Sequence, residues 1–322
     1  MAGEQPTPDT TVIGVLTYRR NDDLLTALPP ILREAATISP PATVLVIDND
    51  PDAGAEPAVA PLAEQGVRYL HEPTPGIAAA RNLALREADG RFLVFIDDDM
   101  HPDDGWLAAL LRTQESSGAA VVAGPVLAEY EATPDDWVTA GRFFVRRRLP
   151  SGTRLDVAAS GNMLLDLPQI AAYGVQFDHR FGLLGGSDHL FSRTLARQGA
   201  LMVWCDEAIT FDRVPASRMT RKWILRRAYR TGNSQVLASL ALCAAPSERL
   251  RVRLTATVGG IARILAGEVR VGAGVLTGAT VHRARGARLV RRGAGMLAGA
   301  YGHAHVEYAR NPTSAATVVG AR

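Results

Sequence analysis

Three consecutive carboxylates, Asp97, Asp98 and Asp99, follow directly on the apolar run RFLVFI, Arg91 to Ile96. Adjacent carboxylates repel one another and raise each other's pKa unless a cation intervenes, so a divalent metal is the simplest compensating partner. Hard oxygen donors favour Mg²⁺ or Mn²⁺. Such an ion takes one or two carboxylates and fills its shell with water and phosphate oxygens, which points to a diphosphate-bearing substrate. The competing reading of an acidic triplet is a solvated turn, but Thr17-Tyr18-Arg19 and Asp48-Asn49-Asp50 also begin where apolar runs stop. The chain has no GxxxxGK[ST] loop, and no GxGxxG follows the first apolar run, so phosphate must be held mainly by metal and arginine.

The elements that must position these residues can be read from the periodicity. Short β-branched runs at Thr11 to Leu16, Ala42 to Ile47, Val67 to Leu70 and Arg91 to Ile96 read as strands. Amphipathic stretches from Asp23 to Ala36, Ile77 to Ala88 and Asp104 to Ser116 read as helices. Apolar strands alternating with helices predict an α/β fold with a mostly parallel central sheet and helices on both faces. In open sheets of this kind ligands bind beyond the carboxyl ends of the strands, where all three polar clusters fall.

The segments VIGVLTYRRND, VLVIDND, EPTPGIAAARNLALREADGRFLVFIDDDMHPDDGWL, SGNMLL and FDHRFGLLGGSDHLFSRTLARQG, in that order, resemble family-2 nucleotide-sugar glycosyltransferases of the GT-A fold. The likeness runs over roughly residues 10–235 and extends to members that build exopolysaccharides. It implies a hexosyl transfer, with inversion, from a nucleotide-diphosphate sugar to a hydroxyl acceptor, with UDP-sugar as the default donor. It implies nucleotide contacts from Thr17, Tyr18, Arg19, Asp48, Asn49, Arg81, Asp97 and Asp98, and a Mn²⁺ or Mg²⁺ ion on Asp99 with Asp97. The family's catalytic base maps to Asp188 of GGSD, whose competing reading is the cap of the helical stretch His189 to Gln198. Gly161, Asn162, Gly186 and Trp204 are expected around the sugar and acceptor. Arg218, Arg226 and Arg227 are expected as a phosphate clamp. For Trp137, Trp204 and Trp223 the competing reading is core packing. Ser187 stands where many relatives have Glu.

The chain has 322 residues, 47% hydrophobic and 21% charged, with a net charge of +2. That sum hides two halves: residues 1–212 hold 16 Lys and Arg against 30 Asp and Glu, whereas 213–322 hold 19 against 3. Such a basic segment faces something anionic: a lipid surface, a phosphorylated acceptor, nucleic acid or the first half itself. Nucleic acid is disfavoured, because only Trp223, Tyr229, Tyr301 and Tyr308 are interleaved with the charge. From Arg249 onward, helical spacing sets Arg249, Arg253, Arg263 and Arg270 opposite Leu250, Leu254, Val258, Ile261 and Leu265. A second basic segment carries Arg285, Arg288, Arg291 and Arg292. These helices either lie on an anionic membrane or pack their apolar faces within the protein, and Gly259, Gly260, Gly272 and Gly274 hint at breaks or close packing.

Two cysteines, Cys205 and Cys243, and the lack of a secretory signal point to a reducing, cytoplasmic setting, with attachment to the inner face of the membrane. The expected division is a flexible N-terminus at 1–10, a catalytic domain at 11–235 and a basic helical region at 236–322. Two alternatives stay open: a small soluble acceptor, with the basic region as a lid, and a non-catalytic nucleotide-sugar-binding protein.

Overall fold

The computed structural model describes residues 10–304. Most of the expected flexible N-terminus, and Tyr308, lie outside the described residues. The chain divides into two compact units: residues 10–127, 146–182 and 191–212 form the first, and residues 128–145, 183–190 and 213–304 the second.

In chain order the first elements are β1 (Thr11–Thr17), α1 (Asn21–Ala35), β2 (Thr43–Asp48), α2 (Glu56–Val59), β3 (Val67–His71), α3 (Ile77–Glu87) and β4 (Phe92–Asp97). There follow β5 (Met100–Pro102), α4 (Trp106–Ser117), β6 (Val121–Ala123), β7 (Val126–Tyr130), α5 (Asp136–Gly141), β8 (Asn162–Asp166) and α6 (Leu167–Tyr173). The last are α7 (Ser187–Arg197), β9 (Met202–Trp204), β10 (Thr210–Val214), α8 (Arg221–Ala241), α9 (Pro246–Leu276) and α10 (Thr280–Ala300).

The first unit is built on a seven-stranded sheet of order β3-β2-β1-β4-β8-β6-β9. All its strands run parallel except β8, which is antiparallel to both β4 and β6. A parallel sheet must be covered on both faces, and the period of two in each strand sorts its side chains accordingly. Ile13, Val15, Val44, Val46, Val94 and Ile96 pack with Leu24, Leu28, Trp106 and Leu110 of α1 and α4. Val12, Leu45, Ile47, Leu93 and Phe95 pack on the other side with Ala80 and Ala84 of α3, Phe177 and Phe191. Helix α1 continues through Pro29 and Pro30 because Leu24, Leu28 and Ile31 bury its inner face. Helix α4 starts at Trp106, two residues later than expected, because Gly105 turns into it at a left-handed φ of 77°. Its first amides are held from α1: Glu34 accepts from the N–H groups of Gly105 at 3.0 Å and Leu107 at 3.1 Å.

In the second unit the basic helical segment begins at Arg221, inside the stretch expected to end at 235. Helix α9 is unbroken over 31 residues, so its glycines are not interruptions. Gly260, Gly267 and Gly274 let it approach α10, whereas Gly272 faces open space: a methyl on Gly267 would stand 2.8 Å from the Gly286 carbonyl oxygen, and one on Gly260 would stand 3.0 Å from that of Gly293. The apolar side expected at Leu250, Leu254, Val258, Ile261 and Leu265 is solvent-exposed, each residue by 47% or more. The alternative in which this stripe packs inside the protein therefore does not hold among the described residues. A smaller core of Trp137, Val138, Phe144, Val214, Ile224 and Ala284 joins α5 to α8 and α10. Both cysteines are buried and free, and no described helix is long and apolar enough to cross a membrane.

Candidate active site

The three polar clusters read from the sequence meet at the carboxyl ends of β1, β2 and β4, which the register sets side by side: Thr17 is opposite Asp48, and Leu16 opposite Asp97. The Thr17 hydroxyl donates to Asp98 Oδ2 at 2.8 Å. Asp98 is 4% exposed. Burial pushes its carboxyl up to about 7, aided by the charge of Asp99 and opposed by Arg20 and the Thr17 hydroxyl. Asp97 is raised to about 6, again first by burial and then by Asp99. The glycine before Asn162 permits this crowding, since a methyl on Gly161 would stand 2.7 Å from Asp97 Oδ2.

Arg20, which sequence reading passed over, is central here. One of its guanidinium nitrogens lies 3.1 Å from both Asp98 Oδ1 and Asp99 Oδ2. Burial works against the charge on Arg20, but the two aspartates outweigh it and raise its pKa. The only signal was adjacency, since Arg20 follows the Arg19 that was singled out. Arg19 itself turns away, with a left-handed φ of 53°, to pair with Asp50 at 3.0 Å and Asp52 at 2.8 Å. Arg146 and Asp212 form a second unforeseen pair at 2.6 Å, and both act electrostatically on Asp97.

Asp48 and Asn49 hold loops. Asp48 is fully buried and accepts from the amides of Asp50 at 2.9 Å and Ala55 at 2.8 Å and from the Tyr69 hydroxyl at 3.0 Å. Asn49 donates to the carbonyls of Glu72 and Thr74, both at 2.7 Å, and accepts from Gly76 at 3.1 Å. Gly76 has a φ of 115°, and a methyl there would stand 3.0 Å from the Gly182 backbone, so the turn into α3 requires glycine. That turn sets Arg81, buried, with its guanidinium 5.3 Å from the Phe177 ring centre. Asn82 brackets Phe177, donating to its carbonyl at 2.8 Å and accepting from its amide at 2.9 Å.

The residues expected around the sugar are scattered. Asn162 is 1% exposed, and its amide is committed to Trp106 at 2.8 Å, Pro125 at 3.0 Å and Ala208 at 2.7 Å. It ties strand ends together. Trp204 is buried on β9, with its indole donating to Asp206 at 3.2 Å. Gly186, at a φ of 85°, faces Ser234 within the second unit. Asp188 also belongs to the second unit, half-buried in the first turn of α7, and its Oδ1 accepts from the His189 amide at 2.8 Å. Because α7 starts at Ser187, Asp188 is inside the helix and is not its cap. Arg218 lies in a short helical turn before α8, Arg226 is exposed, and Arg227 stacks on Trp223 at 5.3 Å. Trp137 and Trp223 pack in the core of the second unit against Phe143 and Phe144.

The chain is similar to the succinoglycan biosynthesis protein ExoM of Rhizobium meliloti (strain 1021), 32% identical over 229 residues, covering 69% of this chain and 72% of that protein. It is similar to the glycosyltransferase AglE of Haloferax volcanii, 24% identical over 203 residues, covering 60% and 62%. Among solved structures, GalNAc-T7 with UDP, GalNAc and Mn²⁺ superposes with a TM-score of 0.52 at 15% identity, over 77% of this chain and 54% of that one. That likeness bears out the GT-A fold expected from the sequence. The family model for glycosyl transferase family 2 matches residues 12–175, the stretch that carries the strand-end clusters, and the chain belongs to that family of glycosyltransferases.

Proposed function

We propose that the protein moves a hexosyl group from a nucleotide-diphosphate sugar, with UDP as the nucleotide, to a hydroxyl of a growing polysaccharide or its lipid-linked precursor, with inversion at the anomeric carbon. The observation that carries this reading is the crowding of Asp97, Asp98 and Asp99 at the end of β4, beside the end of β1, with Asp98 buried and both Asp97 and Asp98 raised in pKa. The relatives add the substrate classes: one is named for succinoglycan synthesis and one is solved with UDP and Mn²⁺.

Asp99 and Asp97 would hold Mg²⁺ or Mn²⁺. The fit rests on an all-oxygen donor set whose like charges a divalent cation relieves. Among the described residues no group of three or more His, Cys, Asp or Glu is disposed to cage a metal. That suits an ion completing its shell with diphosphate and water. Bound there, the ion would neutralise charge on the leaving diphosphate.

The chain's own residues do the rest. Thr17, Tyr18 and Arg81 form the nucleotide site with Asp98, while Asp48, Asn49 and the Arg19–Asp50 pair shape its loops. Asp188 takes the proton of the acceptor hydroxyl as that oxygen bonds to the anomeric carbon and the bond to diphosphate breaks. Gly161, against Asp97, borders the sugar, while Asn162 and Trp204 are taken up by packing; Arg218, Arg226 and Arg227 are the candidates to steady the phosphates. The enzyme works in the cytoplasm, docked on the inner face of a membrane. The exposed apolar side of α9 and the 19 to 3 basic excess of residues 213–322 support that docking.

Calorimetric titration with UDP, GDP and UDP-sugars, in Mn²⁺, Mg²⁺ or EDTA, tests the donor class. Metal-dependent binding of UDP is expected, and no binding of any nucleotide under any condition overturns the reading.

A further inference from the structure

The second unit contains a cavity of about 440 Å³ that none of the strand-end residues line. Five arginines line it: Arg142, which follows α5, Arg270 of α9, and Arg285, Arg288 and Arg292 of α10. The spacing of the last three, i, i+3 and i+7, puts them on one side of α10. No Asp or Glu lines the cavity, and among the described residues none of the five makes an ion pair. Four of them are half-buried.

Surface arginines usually point into water and are satisfied by it, and two of these are not. The Nε atoms of Arg270 and Arg292 are buried with no hydrogen-bond partner among the described residues. Arg292 spends one terminal nitrogen on Gln235 at 2.9 Å, and Arg288 lies 5.8 Å from the Phe143 ring centre. Burial, then the charge of Arg285, lowers the pKa of Arg288; burial, then Arg288 and Arg263, lowers that of Arg292. The fold therefore brings like charges together and partly strips them of water without supplying a counter-charge, an arrangement that costs stability unless an anion completes it. Planar guanidinium groups match phosphate oxygens two at a time. The number of cations calls for more than one negative charge, and the volume suits a phosphate-bearing headgroup.

We propose that this cavity is a binding site for a phosphomonoester or diphosphate anion, separate from the nucleotide site of the first unit. The group reaches it either as a soluble diphosphate or as the headgroup of a lipid.

The test is titration of the full-length protein with inorganic pyrophosphate in EDTA, where the acidic strand ends have no metal to recruit it. Flotation is run in parallel with vesicles containing phosphatidic acid or an equal charge of phosphatidylserine. Two variants are compared: the double substitution Arg270→Gln with Arg285→Gln, inside the cavity, and Arg291→Gln, an exposed arginine of the same helix. Pyrophosphate should bind the wild type and raise its Tm. Affinity should fall by about tenfold or more in the double variant and by less than about twofold in Arg291→Gln. A preference for phosphatidic acid that the double variant loses identifies the lipid source, and pyrophosphate binding without that preference identifies the soluble one. Failure of the wild type to bind either ligand, or equal losses in both variants, overturns the proposal. The Tm shift is read on the wild type alone, so the test survives a variant that folds poorly.

Discussion

The Thr17 hydroxyl donates to Asp98 Oδ2 at 2.8 Å, tying the end of β1 to the acidic run that ends β4. Asp98 is buried, and on its other oxygen it meets Arg20, so two short contacts from one loop fix the middle aspartate. The carboxylates on either side are thereby held in a set orientation, and four experiments follow from the geometry.

Thr17→Val keeps the shape of the side chain and removes the donor. Losing a hydrogen bond to a buried carboxylate should cost about 1–3 kcal/mol of stability. Urea denaturation should show a lower midpoint with an unchanged slope.

Acidity should stabilise the metal-free protein. The folded pKa of Asp98, about 7, lies above its ordinary 3.8, so folding favours the protonated form. Its contribution is complete below about pH 4 and is lost as pH rises towards 7, amounting to no more than about 4 kcal/mol. The Tm in EDTA should therefore fall between pH 5.5 and 7.5. Asp98→Asn should flatten that dependence, and an unchanged profile in this variant would refute the assignment.

Asp99→Ala should abolish metal-dependent UDP binding. Asp188→Asn should bind UDP as the wild type does and lose transfer by about 10²- to 10⁴-fold, the usual worth of a positioned base. Equal loss of binding and transfer in Asp188→Asn would remove it from the base role.

The two sides of α9 should respond oppositely to substitution. Gly267→Leu drives a side chain into the α10 backbone and should destabilise by about 3 kcal/mol or more. Leu254→Glu with Leu265→Glu, on the exposed side, should change stability by less than about 1 kcal/mol. The same pair should lose flotation with anionic vesicles, and retained flotation would show that this stripe is not what touches lipid.

The alternation of strand and helix was legible because buried parallel strands leave an unambiguous apolar signature, and β1, β2, β3 and β4 begin and end within a residue of the expected limits. Asp97 to Asp99 were legible for a related reason: charge directly after such a run has to emerge at a strand end. What a polar side chain does once there was not. Asp48 and Asn49 read as ligand contacts, yet their hydrogen bonds go to amides, carbonyls and the Tyr69 hydroxyl, up to 27 residues away, which no local pattern encodes. Asn162 and Trp204 were similarly absorbed by packing. Arg20, Arg146 and Asp212 were missed because an ion pair across 66 or 78 residues leaves no spacing to read. In α9 the helical wheel found the right faces, but the face that packs is the one made of glycine.

That packing inverts the ordinary relation between hydrophobicity and constraint. In most helices the large apolar positions tolerate least and the small ones drift. Along α9 the exposed Leu250, Leu254, Val258 and Leu265 can exchange freely with one another as far as folding is concerned, whereas Gly260, Gly267 and Gly274, close against α10, admit nothing larger. A library of substitutions scored for folding alone would mark the glycines as the core of this helix and its hydrophobic stripe as surface. Any selection that also restricted the stripe would be reporting on something outside the fold.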